Sequence, residues 1–260
     1  MSDTLKFQAK ANKFIQEERY DLAILEYKKI IKASYAPSNN LLKTLAELYL
    51  KNGQNKEAEH YYLIVVDAWI KEQKYKQAIP LYKELIKLKE KDHELHLELA
   101  KCLLKCNFPT DALLSLKRAV AMTERFKPEI AQDIQKDVID LEPENLSERR
   151  KLAELLEAAN WFDKASDEWA SFAQLNRRLG KFKESARAYE KAFGLRDSWE
   201  LRVEAAQARL DAKEPGKALD YLKSIYKTYP SEPRIVALLA AGLQERGQEA
   251  QAKQLWLQAA

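Results

Sequence analysis

Between Leu41 and Glu90 apolar side chains recur three and four residues apart in three successive runs, LLKTLAELYLKNGQ, NKEAEHYYLIVVDAWIKEQ and KYKQAIPLYKELIKLKE. That spacing places one apolar stripe on each of three helices, with short polar joints between them. The same three-part phrase returns near Leu95–Leu141 and again near Ser147–Leu195. Ahead of it, Phe7, Ala11 and Phe14 mark one helix. Ala23, Tyr27 and Ile30 mark a second, beyond a joint at Glu17–Arg19. Ala11 and Ala23 are small where two helix backbones must come close, which lets antiparallel helices interdigitate.

Small residues then recur at Ala23, Ala58, Ala78, Ala112, Ala131, Ala165, Ser185, Ala218 and Ala252, in steps of 35, 20, 34, 19, 34, 20, 33 and 34. Simple two-helix repeats would step by one length throughout, so the short steps require helices that serve two neighbours. Lys56–Gln73 is the first of these: Ala58, Tyr62 and Val65 face the helix before, Val66 and Trp69 the helix after. Thr110–Arg125 and Asp163–Leu179 play the same double role. The unit is therefore three helices and 53–54 residues long. The expected organisation of 1–260 is a helix pair at 4–37, three-helix units at 39–91, 93–144 and 146–197, and terminal pairs at 199–230 and 233–260. Pro37, Pro109, Pro128, Pro143, Pro215, Pro230 and Pro233 fall at joints, and Gly53, Gly180 and Gly247 just past helix ends. Both placements suit those residues. Pro80 alone lies inside a helix, where a mild kink is expected.

Read as large, Leu, small, aromatic, then Ala, aromatic, Ala, these positions resemble the tetratricopeptide repeat (TPR) family. The pattern is carried by Leu42, Leu45, Ala46, Tyr49, Ala58, Tyr62 and Val65. It recurs at Leu99, Ala100, Leu103, Ala112, Leu116 and Ala119, and at Leu152, Ala153, Leu156, Ala165, Trp169 and Phe172. GKFKESARAYEKAFGLRD resembles a family second helix, LEPEN its closing turn, and Leu239, Ala240, Leu243, Gly247, Ala252, Trp256 and Ala259 a final unit. Cytoplasmic bacterial arrays with partly fused three-helix repeats are the nearest form. The resemblance implies an all-α fold, a right-handed α-α superhelical solenoid of TPR-like helical hairpins with about 15 helices.

Composition narrows function mainly by exclusion. The net charge of +4 is small against 84 charged side chains, so no strong polyanion affinity is implied. The first ten residues lack the apolar core of a signal peptide, and no apolar run reaches the ~20 residues of a membrane span. A cytoplasmic protein is expected. Cys102 and Cys106, with His93 and His96 upstream, invite a zinc site, but one helix turn between the thiols is not a metal-typical spacing. They read as core or half-buried thiols. His60, between Glu59 and Tyr61, has no nucleophile context, and the six glycines form no phosphate loop. Neither enzyme activity nor a cofactor is expected. Tyr27, Tyr49, Tyr62, Tyr82, Trp169, Tyr189 and Trp256 occupy repeat core positions, so RNA stacking is the alternative reading and nucleic acid is not the expected partner.

What remains is binding of a partner protein or peptide. In the family resembled, first helices line a groove. The positions carried over are Lys43, Glu47 and Leu50, then Lys101, Leu104 and Lys105, then Arg150, Glu154 and Glu157. They suit a segment with acidic groups and one or two apolar anchors. The family's carboxylate clamp is not matched: Asn12 stands for one clamp residue, but Gln8 and Thr44 replace its neighbours. At the C-terminus Leu255, Trp256 and Leu257 offer an apolar end face for a partner or for self-association. The expected role is an adaptor or scaffold, of the kind that serves bacterial assembly, motility or cell-polarity complexes.

Overall fold

The computed structural model describes residues 3–259, and every element among them is an α-helix. In order these are α1 (Asp3–Gln16), α2 (Tyr20–Ala33), α3 (Asn39–Lys51), α4 (Asn55–Lys71), α5 (Tyr75–Leu88), α6 (His93–Lys105), α7 (Pro109–Thr123) and α8 (Pro128–Leu141). They continue as α9 (Leu146–Ala158), α10 (Phe162–Arg178), α11 (Phe182–Leu195), α12 (Trp199–Asp211), α13 (Pro215–Tyr226), α14 (Pro233–Glu245) and α15 (Glu249–Ala259). The helices group into two compact units, Met1–Met122 and Thr123–Ala260.

The joints are of two kinds, and local chemistry explains both. At Glu18, Gly53, Gln73, Asn107, Asn160, Gly180, Lys213 and Gly247 the backbone turns left-handed, with φ between +57° and +75°. After each, the next N–H (Arg19, Gln54, Lys74, Phe108, Trp161, Lys181, Glu214, Gln248) donates to the carbonyl five residues back at 2.8–3.0 Å. This hook satisfies the orphan carbonyls of the ending helix and starts the next one at once. Five residues beyond each turn stands a small residue: Ala23, Ala58, Ala78, Ala112, Ala165, Ser185, Ala218 or Ala252. All eight are buried. So tight a hook leaves no room for a larger side chain at the first crossing of the two helices.

Four of the wider joints use side-chain caps instead. Ser38 accepts the N–H of Leu41, Asp92 that of Glu94, Asn145 those of Ser147 and Glu148, and Ser198 that of Leu201. These caps open α3, α6, α9 and α12, at intervals of 54, 53 and 53 residues. The three-helix period is thus written into the helix starts. α7–α8 is one of the wide joints: Glu124–Lys127 separates the helices, and Pro128 occupies the first turn of α8. α5 runs through Pro80.

α4 carries the two stripes expected of it, with Ala58, Tyr62, Val65, Val66 and Trp69 buried between α3 and α5. α9–α10–α11 repeats α3–α4–α5 at an offset of 107 residues: Gly53 and Gln73 correspond to Asn160 and Gly180. In the second unit successive helices alternate between two layers. Lys191 of α11 reaches Glu157 of α9, and Tyr221 of α13 reaches Glu190 of α11. On the other side Arg177 of α10 pairs with Glu204 and Asp211 of α12, and Arg234 of α14 also pairs with Glu204. Alanines dominate the interior here, including Ala153, Ala173, Ala186, Ala192, Ala205 and Ala208, so the helices approach closely. One charge lies deep. The Arg209 guanidinium is held by both carboxylate oxygens of Glu190 at 2.8 and 2.7 Å and by Glu214, while the Tyr221 hydroxyl donates to Glu190 at 2.9 Å. Such a group stays buried only because its donors are matched.

One core expectation fails. Tyr27, Tyr49, Tyr62, Tyr82, Trp169 and Tyr189 are buried, but Trp256 is 45% exposed. It lies on α15, and no described helix covers that face.

Candidate functional site

The matching three-helix sets invite a comparison, because the same backbone carries different side chains. In the second set, α9 and α11 lie side by side over α10. Trp169 and Phe172 of α10 form the floor, their rings edge to face at 5.7 Å. The Trp169 indole N–H donates to Glu157 of α9 at 3.1 Å, which fixes the ring. Lys191 of α11 spans the gap, its Nζ 4.3 Å from the Trp169 ring centroid and 3.6 Å from Glu157. Arg150 lies along α9, its Nε donating to Glu154 at 2.7 Å. Between these walls is a cleft of about 300 Å³ lined by Arg150, Trp169, Phe172, Glu184, Arg187, Ala188 and Lys191. An aromatic floor under a cationic rim can take apolar and anionic groups together.

In the first set the corresponding floor is Tyr62 and Val65, both buried, and Leu81 stands where α11 has Ala188. Glu84 takes the place of Lys191. The Tyr62 hydroxyl has its pKa pushed up to about 12, by burial first and then by Glu47 and Glu84. The two sets therefore differ in the side chains that cover α4 and α10 and in the charge carried at Glu84 and Lys191.

The residues expected from sequence separate accordingly. Arg150 lines the second cleft, Glu154 orients Arg150, and Glu157 anchors both Trp169 and Lys191. Lys43, Glu47 and Leu50 occupy the same places on α3; Lys43 and Glu47 pair at 3.5 Å and Leu50 is half-buried. Lys101, Leu104 and Lys105 are exposed on α6. Lys101 donates to Glu98, and Lys105 borders a different cleft, about 440 Å³, between the α4–α5 and α6–α7 joints. At the C-terminal end Leu255 packs on the Val203–Leu243 core, while Trp256 and Leu257 face outward. Sequence reasoning missed the contribution of α11: Glu184, Arg187, Ala188 and Lys191. Their spacing is that of one helix face, and comparison with Gln77, Pro80, Leu81 and Glu84 marks the change.

Cys102 and Cys106 are free thiols, the first buried and the second half-buried. Burial pushes the Cys102 pKa up to about 11, so it stays a thiol. Among the described residues no three His, Cys, Asp or Glu side chains gather as metal ligands would. Among the described residues no helix is long and apolar enough to cross a membrane.

Tetratricopeptide repeat family models match residues 70–132 and residues 170–233. Among solved structures, Naa15/Naa10 bound to HypK-THB aligns at 12% identity and a TM-score of 0.50, over 98% of this chain and 36% of that one. The TPR domain of P58(IPK) aligns at 13% identity over 99% of this chain and 92% of that one, TM-score 0.35. MamA protein aligns at 15% identity over 80% and 91%, TM-score 0.34. No curated protein matches by sequence. With the hooked hairpins, the small residues at the hooked crossings and both family matches agreeing, the chain carries tetratricopeptide repeats and is built as an all-α helical repeat.

Proposed function

We propose that this protein is an adaptor that binds a segment of a partner protein in the cleft between α9 and α11. The observation that carries the reading is the cleft itself: an aromatic floor of Trp169 and Phe172, fixed by Glu157, under Arg150, Arg187 and Lys191. Its walls are helices already packed, so binding orders little protein and most of the contact energy is retained. A few anchors worth about 2 kcal/mol each are enough for useful affinity. The family's general role in binding proteins supports the same reading, as do the α9 positions expected from sequence.

The test is affinity capture with the tagged chain, with and without nuclease, repeated with Arg187→Glu. Protein partners that survive nuclease and are lost with Arg187→Glu are expected. Partners that vanish with nuclease would instead favour the RNA-binding reading.

A further inference from the structure

We propose that one edge of the first unit is a peripheral attachment site for an anionic lipid surface. The proposal concerns the helices of that unit alone and is independent of the cleft between α9 and α11.

Helices that run alternately up and down bring every second joint to the same edge. The Asn39 amide at the start of α3 donates to Glu72 at the end of α4 at 3.2 Å, so the α2–α3 joint abuts the α4–α5 joint. The cleft of about 440 Å³ lies between the α4–α5 and α6–α7 joints. These three joints thus form one continuous edge. The opposite edge is assembled in the same way: Lys51 of α3 lies over the Tyr20 ring of α2, and Lys89 beyond α5 pairs with Glu59 of α4.

Charge divides unequally between the two edges. The first gathers Lys32, Lys71, Lys74, Lys76 and Lys105 against Glu72 and Asp111. Lys71 pairs with Asp67 and Lys74 with Glu72, each at 2.6 Å. Lys32, Lys76 and Lys105 make no ion pair among the described residues. The cleft between Lys76 and Lys105 has no carboxylate in its lining, so a phosphate oxygen entering it displaces no partner. At the opposite edge Glu17, Glu18 and Asp21 surround Arg19, and Glu90 and Asp92 flank Lys91.

Apolar groups follow the same division. Tyr35 at the tip of the α2–α3 joint is fully exposed, and Phe108, beside Asn107 of the cleft, is 47% exposed. The joints of the opposite edge expose no large apolar side chain. Projecting rings among unpaired lysines suit the headgroup layer of a bilayer. The rings settle at the apolar boundary, while lysine stems lie along it and the ammonium groups reach the phosphates. Because these groups stand on successive tips and do not line one groove, a broad surface meets them together and a single extended segment does not.

The test is co-sedimentation of the intact chain with vesicles of phosphatidylcholine, alone or with about 30% phosphatidylserine. Three variants accompany the parent: Lys76→Glu with Lys105→Glu, Tyr35→Ser, and Lys56→Glu with Lys91→Glu, which makes the same charge change at the opposite edge. All five positions are exposed, so each variant should keep the parent melting temperature. The parent should bind only the anionic vesicles and be released as salt rises to about 0.5 M. Lys76→Glu with Lys105→Glu should weaken binding about tenfold or more, Tyr35→Ser about threefold, and the opposite-edge pair about twofold or less. An equal loss with both lysine pairs would overturn the proposal, as would Tyr35→Ser binding like the parent. If polyglutamate or a single-stranded RNA is bound through Lys76 and Lys105 and vesicles are not, the edge serves an acidic polymer and the proposal falls. Absence of vesicle binding by the parent overturns it outright and leaves the adaptor reading untouched.

Discussion

Gly180 ends α10 at φ +73°, and Gln73 ends α4 at φ +57° in the matching place. One fold thus holds both a glycine and a side-chain-bearing residue in the same left-handed turn. A Cβ built on Gly180 meets nothing within 4 Å, so Gly180→Ala isolates backbone strain from steric clash. The left-handed conformation costs an L-residue about 1–2 kcal/mol. Against this, alanine narrows the unfolded ensemble and returns about 0.4–1 kcal/mol. The net destabilisation is about 1 kcal/mol. Gln73→Gly runs the same ledger in reverse and should stabilise its joint by a similar amount. Urea titration followed by far-UV circular dichroism should show the two midpoints moving in opposite directions with unchanged slopes. Native-state hydrogen exchange locates the effect. The Lys181 N–H, which donates to Asn176 at 2.8 Å, should exchange roughly 2- to 5-fold faster in Gly180→Ala. The corresponding Lys74 N–H, bonded to Trp69 at 2.8 Å, should slow in Gln73→Gly. If Gly180→Ala is as stable as the parent, the hooks hold no strain and the comparison of the two sets is unsound.

The remaining predictions concern the interior and pH. Ala112 is fully buried, and Ala112→Trp should destabilise by about 3 kcal/mol or more through overpacking; a melting temperature within a degree or two of the parent would refute the placement. Arg209→Ala should cost about 3 kcal/mol, because Glu190 and Glu214 lose their common partner, and a shift below about 1 kcal/mol in the urea midpoint would show the network to be neutral. His96 is buried and its pKa is lowered, by burial first and then by Arg118, with Asp92 opposing. The unfolded chain therefore takes up a proton below about pH 6.5 that the native state resists, so the stability His96 contributes is complete above that pH and declines as pH falls through the lowered value. His96→Gln should flatten the fall in melting temperature between pH 7 and 5. Burial raises the pKa of Glu168, which acts in the opposite sense but equally in both proteins, so an unchanged slope would exclude His96 as the source.

Much of the fold was legible because its strongest requirement is local. The nine small positions from Ala23 to Ala252 mark where helices cross, and all nine are buried. Their uneven steps disclosed α4 and α10 as helices with two partners. The chain also carried a period marker that went unread, the capping residues Ser38, Asp92, Asn145 and Ser198 before each new set. The turns at Glu18, Gln73 and Lys213 leave no signature, since nothing in those side chains demands a positive φ. The site was half legible. Arg150, Glu154 and Glu157 follow from their place on a first helix. Arg187 and Lys191 do not, because a family pattern records which second-helix positions are buried and is silent on which of the others meet a neighbouring rim. Trp256 was misplaced for a related reason: a repeat motif carries the burial of an average unit to α15, where no described helix covers that face.

Packing within each unit runs mostly between helices adjacent or next but one in order, and hardly ever farther. A chain wired in this way need not come apart all at once. Loosening can start at a helix with few neighbours, and α15, which packs chiefly on α14 and leaves Trp256 and Leu257 exposed, is such a helix in the second unit. From there it would travel inward helix by helix, as a front. A mutation's effect then depends on how far it lies from the fraying end as well as on the contacts it removes, and a single melting temperature averages over that gradient.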